Sequence, residues 1–568
     1  MLVKAILKYK WQAVGAVFLM TLYVLSSLLQ PRFLQDVLNG LAQNDQESLL
    51  QMGGWLLGVA ILGLVAGAGN AVLAAYIAQA VSSDLREQMF RKIQQFSYAN
   101  IEEFNAGNLV VRMTNDISQV QTLVMMSFQV LLRMPFLFIG GVVFAIATFP
   151  RLWWIVVLMI VAITAVMMVI MGMMGPRFGR YQQLVDQINA IAKENLRGVR
   201  VVKSFVQEKN QAAKFEVVSD DLFRLNRFIG SGFAVLEPLF ILISYLAIYG
   251  AILSVYHLLG SQPGDVNKLA TFDTYLVQIM FAIVMVGFMG SNASRAIISL
   301  KRIKEVLQAE PAMVFEDGPV EDLDGTIRFT NVTFTYPKEE EPTLKDISFE
   351  VEAGQMIGVV GATGAGKSTL AQLIPRLFDA QEGTIEIGGK NIRTVGQETL
   401  RQTVSIVLQK ALLFKGSVAS NIRQGKHDAQ QVDLERAAHI AQAMEFIQRM
   451  PDAYHSSVEE RGTNFSGGQK QRLSIARGLV ANPKILVLDD STSALDARSE
   501  RLVREALAKE LKGTTTILIA QKISSVVKAD KILVLDQGRL VGQGTHKELV
   551  ATNTIYREIF ESQKGKED

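Results

Sequence analysis

The run Gly361-Ala362-Thr363-Gly364-Ala365-Gly366-Lys367-Ser368-Thr369 has the spacing GxxxxGK[ST] and directly follows the apolar residues 356–360. A strand that enters a glycine-rich turn and leaves it as a helix aims backbone N–H groups and a positive helix end at one point, which suits phosphate oxygens. There Lys367 would reach the β- and γ-phosphates of a nucleotide, and the Ser368 hydroxyl would ligate Mg2+. The helix is expected over residues 369–377. The plainer alternative is a glycine turn beside a surface lysine.

Two further motifs weigh against that alternative. Ile485-Leu486-Val487-Leu488-Asp489 reads as a buried strand ending in a carboxylate, the position from which Mg2+ is held through water at the edge of a parallel sheet. By itself this is weak, because many α/β proteins have a strand ending in Asp. Phe465-Ser466-Gly467-Gly468-Gln469 precedes a helix-like stretch and offers a hydroxyl, close backbone approach and a helix dipole. It is either a plain N-cap turn or a second phosphate-binding surface. With one phosphate loop already in the chain, the second surface suggests a nucleotide held between two subunits.

These motifs all fall within residues 327–568, and the rest of the chain is different in kind. With 49% hydrophobic and 20% charged residues and a mean hydropathy of +0.24, the 568-residue chain is too apolar for an ordinary soluble protein. The excess is N-terminal: residues 11–33, 53–80, 130–149, 152–174, 233–257 and 269–290 each approach or exceed the roughly 20 residues needed to cross a bilayer. None has the form of a cleaved signal peptide. Lys4, Lys8 and Lys10 precede the first stretch, and Arg86, Arg91, Lys92 and Arg112 follow the second. A basic series from Arg177 to Arg227 follows the fourth, whereas the opposite side has only Arg151 and Lys268 between spans. Positive charge stays in the cytoplasm, so both termini are expected there.

The two long cytoplasmic segments keep helical spacing, as in Leu184, Ile188 and Ile191, which predicts helices that continue below the membrane. Residues 306–326 are acidic, contain Pro311, Gly318 and Pro319, and read as a linker. A net charge of +3 gives no basic field for nucleic acid, and the absence of Cys excludes disulfides, zinc ribbons and thiol nucleophiles. Arg133 and Glu237 fall near the cytoplasmic side and Asp273 near the outer side, so a midplane proton relay is not indicated. Gln278, Phe281, Met285 and Phe288 recur at helical spacing on the sixth span. That face would suit varied apolar ligands, although ordinary helix packing explains each residue equally well.

Together these motifs resemble the nucleotide-binding domain of ATP-binding-cassette (ABC) transporters, and nearly the whole chain is similar to an ABC exporter half-transporter. The resemblance implies a membrane α-helical domain of six exporter-type helices (residues 1–305) fused through the linker to a P-loop α/β cassette (327–568), with ATP and Mg2+ as cofactors. ATP would contact Gly361, Gly364, Gly366, Lys367, Ser368, Thr369 and Gln409, with Tyr336 stacking on adenine. Mg2+ would be held by Ser368, Gln409 and Asp489. Ser466, Gly467, Gly468 and Gln469, with Asp496 of the D-loop, would complete a partner's site. Glu459–Gly462 would meet the cytoplasmic loops, whose coupling helices are expected near 104–111 and 198–207. The implied setting is a bacterial cell membrane, multi-pass, with a hydrophobic small molecule as cargo and no nucleic acid.

Two positions depart from the family pattern. Asp490 stands where the general-base Glu is usual, and Gln521 where a histidine contacts the γ-phosphate. One methylene less withdraws the carboxylate by about 1.5 Å, and misplacement on that scale costs on the order of 100-fold in rate. Gln521 can donate an amide hydrogen bond but cannot become cationic. This pattern resembles the degenerate-site subunit of heterodimeric bacterial multidrug exporters, which implies a second, different half-transporter as partner. Alternatives are a lipid or peptide exporter, or an ATP-gated regulatory or channel-type ABC protein.

Overall fold

In the computed structural model, residues 2–258, 265–316 and 318–564 are described. They form two compact units, one of residues up to 93 and 110–308, the other of 94–109 and 309–568.

The first unit is helical. Among the described residues, six helical segments are long and apolar enough to span a membrane: Lys10–Leu41, Gln46–Gln94, Ala106–Thr148, Pro150–Arg197, Glu208–Tyr256 and Asn267–Gly287. Apolar side chains such as Leu64, Val72 and Leu158 point outward, while Met20, Met159, Phe272 and Tyr275 are buried between helices. A helix apolar on all sides suits lipid on one face and neighbours on the other. The helices outrun the stretches read from hydropathy: the fifth continues over 51 residues from Glu208 to Leu258, about 75 Å. The segment expected to be a loop at 34–52 is mostly helix, turning near Asn44 at φ 59°. The sixth helix runs to Gln308, into the start of the stretch read from composition as a linker. The third helix carries two π-helical turns, Arg112–Asp116 and Ser127–Leu131.

The second unit is built on a six-stranded sheet. Its order in space is Arg539–Gly544, Lys531–Asp536, Met356–Gly361, Thr515–Ile519, Ile485–Asp489 and Val404–Val407, all parallel except the first, which is an antiparallel edge. The central strands are apolar throughout because both faces are covered. Alternate residues enter different cores: Leu486, Leu488 and Leu518 pack on one face, Ile485, Val487 and Ile517 on the other. A four-stranded antiparallel sheet, Leu344–Val351, Ile327–Phe334, Glu382–Ile387 and Lys390–Asn391, lies over the second core.

At the short helix expected near 104–111 the chain forms two helical pieces, Tyr98–Phe104 and Ala106–Val111, the second leading into the third membrane segment; the first is separately capped. Ser97 and Asn100 form a reciprocal capping box that starts it, and Asn105, at φ 61°, ends it. It sits within the second unit, with Tyr98 edge-on to Phe378 at 5.4 Å and Lys338 Nζ donating to Glu103 O at 2.8 Å. A second short helix, Val199–Ser204, lies in the first unit.

Candidate nucleotide site

Four neighbouring parallel strands end at one sheet edge, and each delivers part of the site. Met356–Gly361 leads into the phosphate loop, Thr515–Ile519 to Gln521, Ile485–Asp489 to Asp489 and Asp490, and Val404–Val407 to Gln409. A crevice outside the carboxyl ends of parallel strands is where such sheets bind ligands. Here a cavity of about 250 Å3 is lined by Lys367, Ser368, Gln409, Asp489, Asp490 and Gln521, among others.

The glycines of the loop are required sterically. A Cβ on Gly361 would fall 2.0 Å from Leu535 O, and Gly366, at φ 94°, would place one 2.6 Å from Leu344 Cδ2. The helix starts at Lys367 and runs to Leu373, earlier and shorter than the expected 369–377. Lys367 Nζ folds back to donate to Gly361 O and Ala362 O at 2.8 and 2.7 Å, and burial pushes its pKa below the ordinary lysine value. Ser368 Oγ donates to Asp489 Oδ1 at 2.9 Å. Burial of Asp489 raises its pKa, with the neighbouring Asp490 charge acting in the same direction and the Ser368 hydrogen bond opposing it. A hydroxyl against a buried carboxylate is a donor set that fits Mg2+, and the glycine cradle with one lysine fits a polyphosphate.

Asp490 is buried and left-handed at φ 45°. Its Oδ2 accepts from Gln409 Nε2 at 3.0 Å and from Gln521 Nε2 at 2.8 Å. The two departures from the family pattern thus contact each other directly. Tyr336 is half-buried, edge-on to Phe378 at 5.3 Å, with its hydroxyl 3.1 Å from Thr369 Oγ1. Thr343 and Ile519 also line the cavity, and no sequence motif pointed to them.

Ser466–Gln469 do not line this cavity. Ser466 is the N-cap of Gly467–Leu479: its hydroxyl accepts from Gln469 N at 3.3 Å, and Gln469 Oε1 accepts from Ser466 N at 2.9 Å. Asp496 caps the helix Ala497–Glu510, and the hydrogen bonds from Ser499 hold its pKa below the usual carboxylate range. Gln471 Oε1 accepts from Ala494 N at 3.0 Å, tying the helix Gly467–Leu479 to the segment that precedes Asp496. In the membrane unit, Gln278 donates its amide to Ser27 O at 3.2 Å, so that donor is used between helices. Phe281 is exposed, Met285 is half-buried in the membrane core, and the Phe288 side chain lies outside the described residues.

The family described as ABC transporter transmembrane region matches residues 14–283, and the one described as ABC transporter matches 344–493. An uncharacterized ABC transporter ATP-binding protein, YfiB of Bacillus subtilis (strain 168), is 35% identical over 97% of this chain and 96% of its own length. The chain belongs to the ABC transporter family. An ATP-dependent lipid A-core flippase of Pseudomonas fluorescens (strain Pf0-1) is 35% identical over 84% of this chain and 79% of that protein. Among solved structures, a bacterial Atm1-family ABC exporter with ATP bound aligns at a TM-score of 0.78, with 26% identity over 98% of each chain. The transporter is therefore an exporter-type half-transporter, six membrane helices fused to an ATP-binding cassette, and a multi-pass protein of the cell membrane.

Proposed function

We propose that this transporter is one half of a two-chain exporter for hydrophobic or amphipathic compounds, drugs among them. Its own ATP site holds Mg2+ and nucleotide with little turnover, and Ser466–Gln469 with Asp496 complete the hydrolytic site of a second, different half-transporter. The observation that carries this reading is the engagement of Asp490 Oδ2 by Gln409 and Gln521. A general base must lie within about 2.6–3.2 Å of the proton it takes, or act through one water. Asp490 is a methylene short, and its Oδ2 is occupied by amides from two other loops. The phosphate cradle, in contrast, retains Lys367, Ser368 and Asp489, which supports binding without hydrolysis. Closure of two loaded cassettes would then drive the membrane helices, and turnover at the partner's site would reset them.

Lipid is the second reading of the cargo, favoured by the likeness to a protein named as a lipid A-core flippase. The test is ATP-dependent uptake into inverted vesicles of cells expressing this chain with and without a second half-transporter, using a cationic dye and a labelled phospholipid in parallel. Uptake by this chain alone, at the rate of the pair, would refute the two-chain reading. Currents without uptake would show an ATP-gated channel instead.

A further inference from the structure

Gln521 lines the nucleotide cavity, but its backbone is held from outside that cavity. It follows the strand Thr515–Ile519 and leads into a short 3-10 turn, Ile523–Ser525. Gln563, on the C-terminal helix Thr554–Lys564, reaches both sides of this junction. Its Oε1 accepts from Ile523 N at 2.8 Å, and its Nε2 donates to Gln521 O at 2.8 Å. One side-chain amide therefore brackets Lys522 and fixes the peptide of Gln521 itself. Ile523 is buried, and its N–H is the first donor of a helical turn, so without Gln563 that donor would be left unmade.

The helix that carries Gln563 is firmly seated. Ile555, Ile559 and Phe560 pack against the core of the cassette, and Tyr556 is fully buried with its hydroxyl 2.8 Å from His546 Nδ1. Asn553 fastens its start, accepting from Tyr556 N at 2.8 Å and donating to Val541 O at 2.9 Å. The far side of the turn is also held: Arg504 Nη1 donates to Ser524 O at 2.9 Å, and Ser525 Oγ donates to Glu500 Oε1 at 2.6 Å. Both partners lie on the helix that Asp496 caps. Of these contacts, only those of Gln563 touch residues 521–523.

Inside the cavity, Gln521 Nε2 gives one hydrogen to Asp490 Oδ2 at 2.8 Å. A side-chain amide nitrogen carries two, so the second is available to a ligand oxygen. We propose that Gln563 is a positioning residue: it holds the Gln521 peptide so that this second hydrogen meets the terminal phosphate of ATP, and it thereby sets how strongly the cavity prefers ATP to ADP. A contact of this kind survives only when its supporting groups keep it within about 0.5 Å of the working geometry. The inference rests on the reading of the cavity as a nucleotide site, and not on which chain hydrolyses.

The test uses the full chain in neutral detergent, with a fluorescent ATP analogue displaced by Mg-ATP and, separately, by Mg-ADP. Gln563→Leu should weaken ATP binding about three- to tenfold, the worth of one hydrogen bond, and leave ADP within about twofold. In the Gln521→Ala background the same change should have no further effect on the ATP-to-ADP preference, because the group it positions is gone. If Gln563→Leu does not purify as a monodisperse chain, Gln563→Glu keeps the acceptor for Ile523 N, loses the donor to Gln521 O, and should show the same selective loss. An unchanged preference in the variant would overturn the proposal. Equal losses for both nucleotides would also overturn it, as would the same selective loss in the Gln521→Ala background. A parent chain that bound neither nucleotide would refute the nucleotide-site reading, and this inference with it.

Discussion

Gln521 Nε2 donates to Asp490 Oδ2 at 2.8 Å, so the two residues that depart from the family pattern are hydrogen-bonded to each other. Gln409 shares the same oxygen at 3.0 Å, which joins three loops through one carboxylate. An aspartate held in this way is suited to organising the nucleotide pocket rather than to removing a proton.

In a co-purified pair, Asp490→Asn should therefore alter steady-state ATP turnover only modestly, because an amide keeps the loops connected and little catalysis is lost. Ser466→Arg should abolish turnover by filling the partner's γ-phosphate space with a bulky cation. The reverse outcome would place hydrolysis on this chain's own phosphate loop.

Lys367→Ala should weaken ATP binding by about 10- to 100-fold, the range for a hydrogen bond to a charged group. Equilibrium binding of a fluorescent ATP analogue to the full chain measures this. A variant that binds as tightly as the parent would mean that Lys367 stays folded onto Gly361 O and Ala362 O when nucleotide is bound.

The purified chain without a partner should hydrolyse ATP at well under about 1 s⁻¹, the low end of ordinary enzyme rates. Phosphate release, compared with and without a co-expressed second half-transporter, decides it.

Thr515 Oγ1 donates to Gly325 O at 2.6 Å and accepts from Gly354 N at 3.0 Å in a fully buried position. Thr515→Val leaves both backbone groups unpaired, at a cost of about 1–3 kcal/mol. Thermal unfolding of the full chain in detergent should shift downward by several degrees, with ATP binding retained at low temperature. An unchanged midpoint would mean that water satisfies both groups.

Contiguous chemistry was legible in the sequence by itself. The loop 361–369 specifies its own strand–turn–helix, long apolar runs identify membrane helices through the bilayer's thickness, and Ser466–Gln469 form one contiguous run. Helix ends were less legible, because the capping box that starts Tyr98–Phe104 depends on Ser97 and Asn100 meeting in space. Gln409, Asp490 and Gln521 meet only because their strands are adjacent in the sheet, across sequence separations of 81 and 31 residues. Strand order follows from which apolar faces can be buried together, which no local pattern encodes. Likewise, hydropathy placed Arg133 at a depth, but the packing of three helices turned it inward beside Tyr23 and left Gln278 bonded to Ser27 O. Spacing along one helix gives only the face a residue occupies; the neighbouring helix decides whether its polar atoms are used or free.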